Sequence, residues 1–287
     1  MKMDSPRRAR IHLPEIRSAV KNQIYLVGMI AAVVAMAGCA TTPATATEQV
    51  IVSFAPLNVA TGNQQIADNF TPLHLAAREG ADEMIKILLQ QGENINATST
   101  QSGTTPLILA ATNGHEQAIT VLLDAGAAVN TADKLDGTAL MYASSKGYLG
   151  IVRKLLQHNA AVNRHSPKDS LDSTALGLAA GNGQDAVLSL LIEAGADLGW
   201  RTQRDGFSAL MVAAELGHAR SVALLLSAGA DPEVKDWKGN TACDLAAANS
   251  HDAVTKVLDD FYLAHGHAQR CRAHAKKTSS STFQPSA

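Results

Sequence analysis

Aromatic side chains are scarce in this chain, with five Phe, four Tyr and two Trp among 287 residues. A single round core of that size needs bulky filling, so the shortage points to a fold that buries Leu, Ala and Val in thin layers instead. Cysteine is scarcer still: three residues exclude a small scaffold held by several disulfides. The most apolar stretch, Ile24 to Ala37, has 14 residues and falls short of the roughly 20 that span a bilayer. Nucleophile elbows, phosphate-cradling loops and paired metal-binding His motifs are all missing. His165, Ser166 and Asp169 lie close in sequence, but neighbours in one loop lack the geometry of a triad, and a polar loop is the better reading. These absences describe a chain with no chemistry of its own.

What the chain does contain is a repeat. A Thr or Ser opens each copy, at Thr71, Thr105, Thr138, Thr174, Ser208 and Thr241, with spacings of 34, 33, 36, 34 and 33. Small residues follow at the fifth and sixth positions after each start, from Ala76 and Ala77 to Ala246 and Ala247, and let neighbouring helices approach closely. A Gly nine residues after the start, Gly80 in the first copy, suits a chain leaving a helix through a left-handed conformation, and Ser250 replaces it in the last copy. Apolar pairs such as Leu88 with Leu89 and Leu122 with Leu123 anchor a second helix, and a further Gly follows at Gly92, Gly126, Gly195 and Gly229. Each unit therefore reads as helix, turn, helix and loop.

The segment Thr71-Pro72-Leu73-His74-Leu75-Ala76-Ala77 resembles the head of the ankyrin repeat, T-P-L-H-x-A. Thr105-Pro106-Leu107 repeats it, and Thr138-Ala139-Leu140 and the later copies relax it. The opening Thr can cap the first helix, and Pro at the first helical position gives up an amide that would have no partner there. The expected fold is all-α: a solenoid of about six units over residues 70–262, preceded by an amino-terminal cap over residues 50–69 that contains Val50, Ile51, Val52 and Phe54. The resemblance implies a protein partner bound on a concave face of fingers and first helices, with no cofactor and no small-molecule substrate. His115, His218 and His251 follow the helix-ending position, where ankyrin repeats often carry His, and are read as structural.

The amino terminus concerns address. Residues 1–38 form a basic segment, an apolar run and small residues, the pattern of a secretory signal peptide. Met36-Ala37-Gly38-Cys39 resembles the lipobox of bacterial lipoproteins, which implies that Cys39 is acylated and becomes the first mature residue. An uncleaved membrane anchor and an ordinary signal peptide are the alternatives. Residues 39–49, rich in Ala and Thr, read as a flexible tether. By the same resemblance, Ala40 after the Cys implies the outer membrane, facing the periplasm.

Residues 1–38 hold six basic and two acidic residues, so removing them takes the formal charge from −2 to −6. Residues 263–287 read as a disordered basic tail with Arg270, Arg272, Lys276 and Lys277 and no acid, which leaves −10 for residues 39–262. An acidic array speaks against nucleic acid as the partner. Cys243 occupies a position taken by Leu in the other copies and is read as a buried core residue, while Cys271 is read as an exposed thiol. A Cys243–Cys271 disulfide would suit an oxidising compartment, but the inward position of Cys243 weighs against it. His265, His267, Cys271 and His274 are weak candidates for a metal site, because their spacing matches no closed zinc motif and a solvated tail accounts for them.

Candidate binding residues cluster in the loops before each start, the fingers. Trp237 stands four residues before Thr241, where the other copies carry Gln101, Lys134, Ser170 and Arg204. A large aromatic at an otherwise polar tip suggests an outside contact; Trp200 suits either contact or packing on an adjacent finger. The fourth finger is three residues longer than those of the third and sixth units and carries Arg164, His165, Pro167, Lys168 and Asp169; a binding role and simple indel tolerance both explain it. The function expected is a membrane-tethered interaction module, with an immunity or inhibitor protein against a secreted toxin, or an accessory factor in oxidative-stress or metal protection, as alternatives.

Overall fold

The computed structural model describes residues 69–166, 172–266 and 271, all within one compact unit of residues 65–287. The expectations for Cys39, the tether, the cap, Lys168, His267 and His274 lie outside the described residues. Twelve helices occur among those described, in six antiparallel pairs: α1 Pro72–Glu79 and α2 Asp82–Gln90, α3 Pro106–Asn113 and α4 Glu116–Asp124, α5 Ala139–Lys146 and α6 Leu149–Gln157, α7 Ala175–Gly181 and α8 Asp185–Glu193, α9 Ala209–Glu215 and α10 Ala219–Ser227, α11 Ala242–Ala248 and α12 Asp252–Ala264. Odd-numbered helices stack on one another as an inner row, and even-numbered helices stack as an outer row. None of the described helices is long and apolar enough to cross a membrane.

The opening Thr or Ser of every unit caps the inner helix. Each sits in an extended conformation, and its side-chain oxygen accepts the backbone N–H three residues on, as Thr105 does from Ile108 at 3.3 Å. In the first unit His74 completes a capping box: Nδ1 accepts from Thr71 N at 3.2 Å while Nε2 donates to Thr104 O at 2.9 Å, binding unit one to unit two. The small residues then do their work. Ala76 to Ala77, Ala110 to Ala111 and their successors through Ala246 are buried between inner helices, and Leu73, Leu107, Leu140, Leu176, Leu210 and Cys243 fill the space towards the outer row. Truncating one of those Leu residues to Ala would cost roughly 2–5 kcal/mol.

The turn between the two helices of a unit is shaped by the next unit. Gly80 takes φ 69°, and a Cβ built on it would stand 2.5 Å from His115 Nδ1. The imidazole is held there because Nε2 donates to Arg78 O at 2.8 Å. His218 donates to Gly181 O at 3.0 Å and His251 to Glu215 O at 2.8 Å in the same register, and Tyr148 and Gln184 occupy the equivalent place in the other two units. These His residues are structural, as expected. On the outer loops an asparagine ladder adds a second tie: Ala128 N, Ala161 N and Asp197 N donate to Asn96, Asn130 and Asn163 Oδ1 at 2.7–2.8 Å.

The carboxyl-terminal end corrects the reading of Cys271. The last helix is four residues longer than the 9-residue α10, its Tyr262 and Asp259 are buried, and Cys271 returns to it with its backbone N–H donating to Asp259 Oδ1 at 3.0 Å. Cys271 is not an exposed thiol. It is fully buried and disulfide-bonded to Cys243, with Cα atoms 5.1 Å apart. Facing inward did not isolate Cys243, because the returning chain brings its partner into the same interior.

Candidate functional site

The fingers are narrow hairpins, and carboxylates hold them from inside. Asp133 accepts from Leu135 N, Gly137 N and the Tyr142 hydroxyl at 2.6–2.9 Å. Burial and that hydrogen bond push the Tyr142 hydroxyl above the ordinary tyrosine range. Asp236 does the same for the sixth finger, accepting from Lys238 N and Asn240 N and from Asn240 Nδ2 at 2.7–2.9 Å. Burial alone would raise its carboxyl, but these donors outweigh it and hold Asp236 below the usual carboxylate range.

Backbone bonds tie finger to finger. Lys134 N donates to Ser102 O at 2.8 Å, and Trp237 N donates to Asp205 O at 3.0 Å. Between the fourth and fifth fingers the carboxylate of Asp172 takes over: Gln203 N and Arg204 N donate to its two oxygens at 3.0 and 2.9 Å. Asp172 has φ 41° and is buried, so the enlarged finger keeps the ladder by substituting a side chain for a carbonyl.

The aromatic residues fall in this row. Trp237 is 60% exposed, with Arg201 stacked at 4.3 Å from its ring centroid and Nε1 donating to Gln203 O at 3.2 Å. Arg201 also donates to Gly206 O at 2.9 Å and to Lys235 O, so one guanidinium links the fifth and sixth fingers. Trp200 is half-buried beside His165, ring centroids 6.0 Å apart.

This geometry, two rows of helices with a row of hairpins, matches a known repeat. The family model for ankyrin repeats, in three-copy form, matches at residues 44–133, 73–166, 129–202 and 176–265. The chain belongs to the ankyrin-repeat family. The crystal structure of an ankyrin repeat domain from Acinetobacter baumannii is similar at 33% identity and a TM-score of 0.60, covering 68% of this chain and 98% of that one. No curated protein matches the chain. An ankyrin array is an interaction module, and the family is a scaffold rather than a catalyst.

Against the ankyrin frame the expected site residues divide. Trp237, Trp200, Arg204, Lys134, Arg164 and His165 all lie in the finger row. Several already have partners: Lys134 Nζ donates to Thr100 O at 2.7 Å and Arg164 to Asn130 O at 3.3 Å. Ser166 is buried and accepts from Ser173 N at 3.2 Å, a structural use of the one hydroxyl in the loop reading. His265 is exposed, lies tilted against Phe261 with ring centroids 4.1 Å apart, and donates from Nδ1 to Phe261 O at 2.8 Å. Cys271, joined to Cys243, offers no thiolate to the weak metal set. Arg201, Lys235 and Lys238 stand outside the column four residues before each start, the one finger position at which the sequence sets the copies side by side. Their signal was the recurrence of bases in the fifth and sixth fingers.

Proposed function

We propose that this chain is an ankyrin module tethered by lipid at Cys39 to the outer membrane of a bacterial envelope, facing the periplasm, where its fingers hold a protein partner. The observation that carries the address is the buried Cys243–Cys271 pair: disulfides persist in secreted and periplasmic proteins and are rare in reducing compartments. It supports the reading of residues 1–38 as a signal peptide ending at a lipobox-like Cys independently of that segment. The finger row supports the binding reading, because hairpins joined by hydrogen bonds to backbone carbonyls and to the Asp172 carboxylate present side chains at little entropic cost.

The address is tested by Cys39→Ser. Metabolic labelling with a palmitate analogue should mark the parent protein and not the variant, and the variant should leave the membrane fraction. Equal labelling of both would remove the lipoprotein reading, and secretion without labelling of either would leave an ordinary signal peptide.

A further inference from the structure

The array over residues 39–262 carries a formal −10, yet the tips of its fifth and sixth fingers expose more base than acid, with Arg204, Lys235 and Lys238 exposed against Asp205. Three of the finger carboxylates, Asp133, Asp172 and Asp236, are less than a tenth exposed and are occupied by hairpin donors. The finger bases turn outward: Arg164, Arg204, Lys235 and Lys238 are exposed, and Arg201 is half-exposed. Where the structure gives these bases a hydrogen-bond acceptor, it is a carbonyl oxygen, as for Arg164 on Asn130 O and Arg201 on Gly206 O, which accepts a hydrogen bond without cancelling the charge. The ion pairs formed between described side chains lie instead on the helices and their ends, among them Lys86 with Glu83, Lys154 with Glu116 and Arg220 with Asp185. Charge is thus unevenly distributed, with most of the exposed acids on the outer helices and their loops.

We propose that the fifth and sixth fingers receive an acidic segment of the partner protein, seated with an apolar side chain on the exposed part of Trp237. This deepens the binding reading above and rests on it. An acidic chain approaching the array is repelled by the outer row and drawn to the fingers, so the field selects both partner and face. The indole is held by Arg201, Gln203 and the finger beneath it, which leaves little side-chain entropy to lose on contact. A nucleic acid duplex or a membrane surface is broad enough to bring its phosphates against the acidic helices too; an extended peptide along the finger row is not.

The test is selection of a displayed random-peptide library on the immobilised full chain, followed by fluorescence anisotropy of the enriched peptides. Enriched peptides should be rich in Asp and Glu around an apolar residue, and their binding should weaken as salt rises. The double substitution Lys235→Glu, Lys238→Glu should weaken it roughly tenfold or more, while Lys256→Glu on α12 leaves it unchanged and circular dichroism shows both variants folded. Enrichment of neutral or basic peptides indifferent to the double reversal would overturn this inference and leave the interaction-module reading standing. No enrichment at all would count against both. Displacement of the acidic peptide by duplex DNA or phosphatidylserine vesicles, with equal sensitivity to the reversal, would overturn the protein partner in favour of a polyanion.

Discussion

Trp237 lies across Gly206: a Cβ placed on that glycine would stand 2.7 Å from the indole Cδ2. The sixth finger's aromatic side chain therefore rests on the backbone of the fifth, while 60% of the residue stays open to solvent. One residue both packs and presents.

Both roles can be separated by mutation. Gly206→Ala must displace the ring and impose a side chain at φ 76°, costing roughly 1–2 kcal/mol of stability and shifting tryptophan fluorescence. Trp237→Ala should lower partner affinity by roughly 1–2 kcal/mol and remove the ring's share of the Gly206→Ala penalty in the double variant, leaving the share due to the positive φ. Full affinity in Trp237→Ala, with a markedly lower melting temperature, would make the residue a packing element only.

The His115 and Gly80 pair gives a cleaner coupling, because both are remote from the finger tips. His115→Ala removes the hydrogen bond to Arg78 O and should cost about 1 kcal/mol. Gly80→Ala meets both the imidazole and the positive φ, so it should cost more. The double variant should be less damaged than the sum in denaturant unfolding; strict additivity would mean that the ring moves aside freely.

Ser144 interrupts a column of alanines at the inner-helix contact. Its hydroxyl is fully buried without a hydrogen-bond partner, where Ala77, Ala111, Ala180 and Ala214 stand in other units. Ser144→Ala should stabilise the array by about 1 kcal/mol in thermal unfolding. A lower midpoint would show that the hydroxyl is bonded inside the core.

The Cys243–Cys271 bridge closes a segment of 28 residues. By the chain-entropy model its loss should cost about 3–4 kcal/mol, concentrated at the carboxyl-terminal end because repeats couple only to their neighbours. Cys271→Ala should therefore raise hydrogen exchange in α11 and α12 far more than in α1 to α4. Uniform loss of protection would instead mean that the array unfolds as one cooperative body.

The repeat was legible because each inner helix states its own boundaries. Thr105 before Pro106 and Gly114 after Asn113 are local signals, read without knowing what lies alongside. The finger site was only half legible. Trp237 was visible as a large residue in a polar column, but that Asp236 beside it is turned inward while Lys238 is turned out depends on hairpin donors that a register alignment does not show.

Sequence alone determined the helix period, the caps, the small-residue contact and the structural place of the His column. All of these rest on interactions within one unit or on a motif that recurs every 33 to 36 residues. Tertiary structure decided what occurs once. It joined Cys271 to Cys243, whose inward position had weighed against such a pair, let the Asp172 carboxylate stand in for a backbone carbonyl where the fourth finger is longer, and laid Trp237 on Gly206. Each of these depends on where a neighbouring segment ends in space, a distance set by packing and by no single stretch of chain.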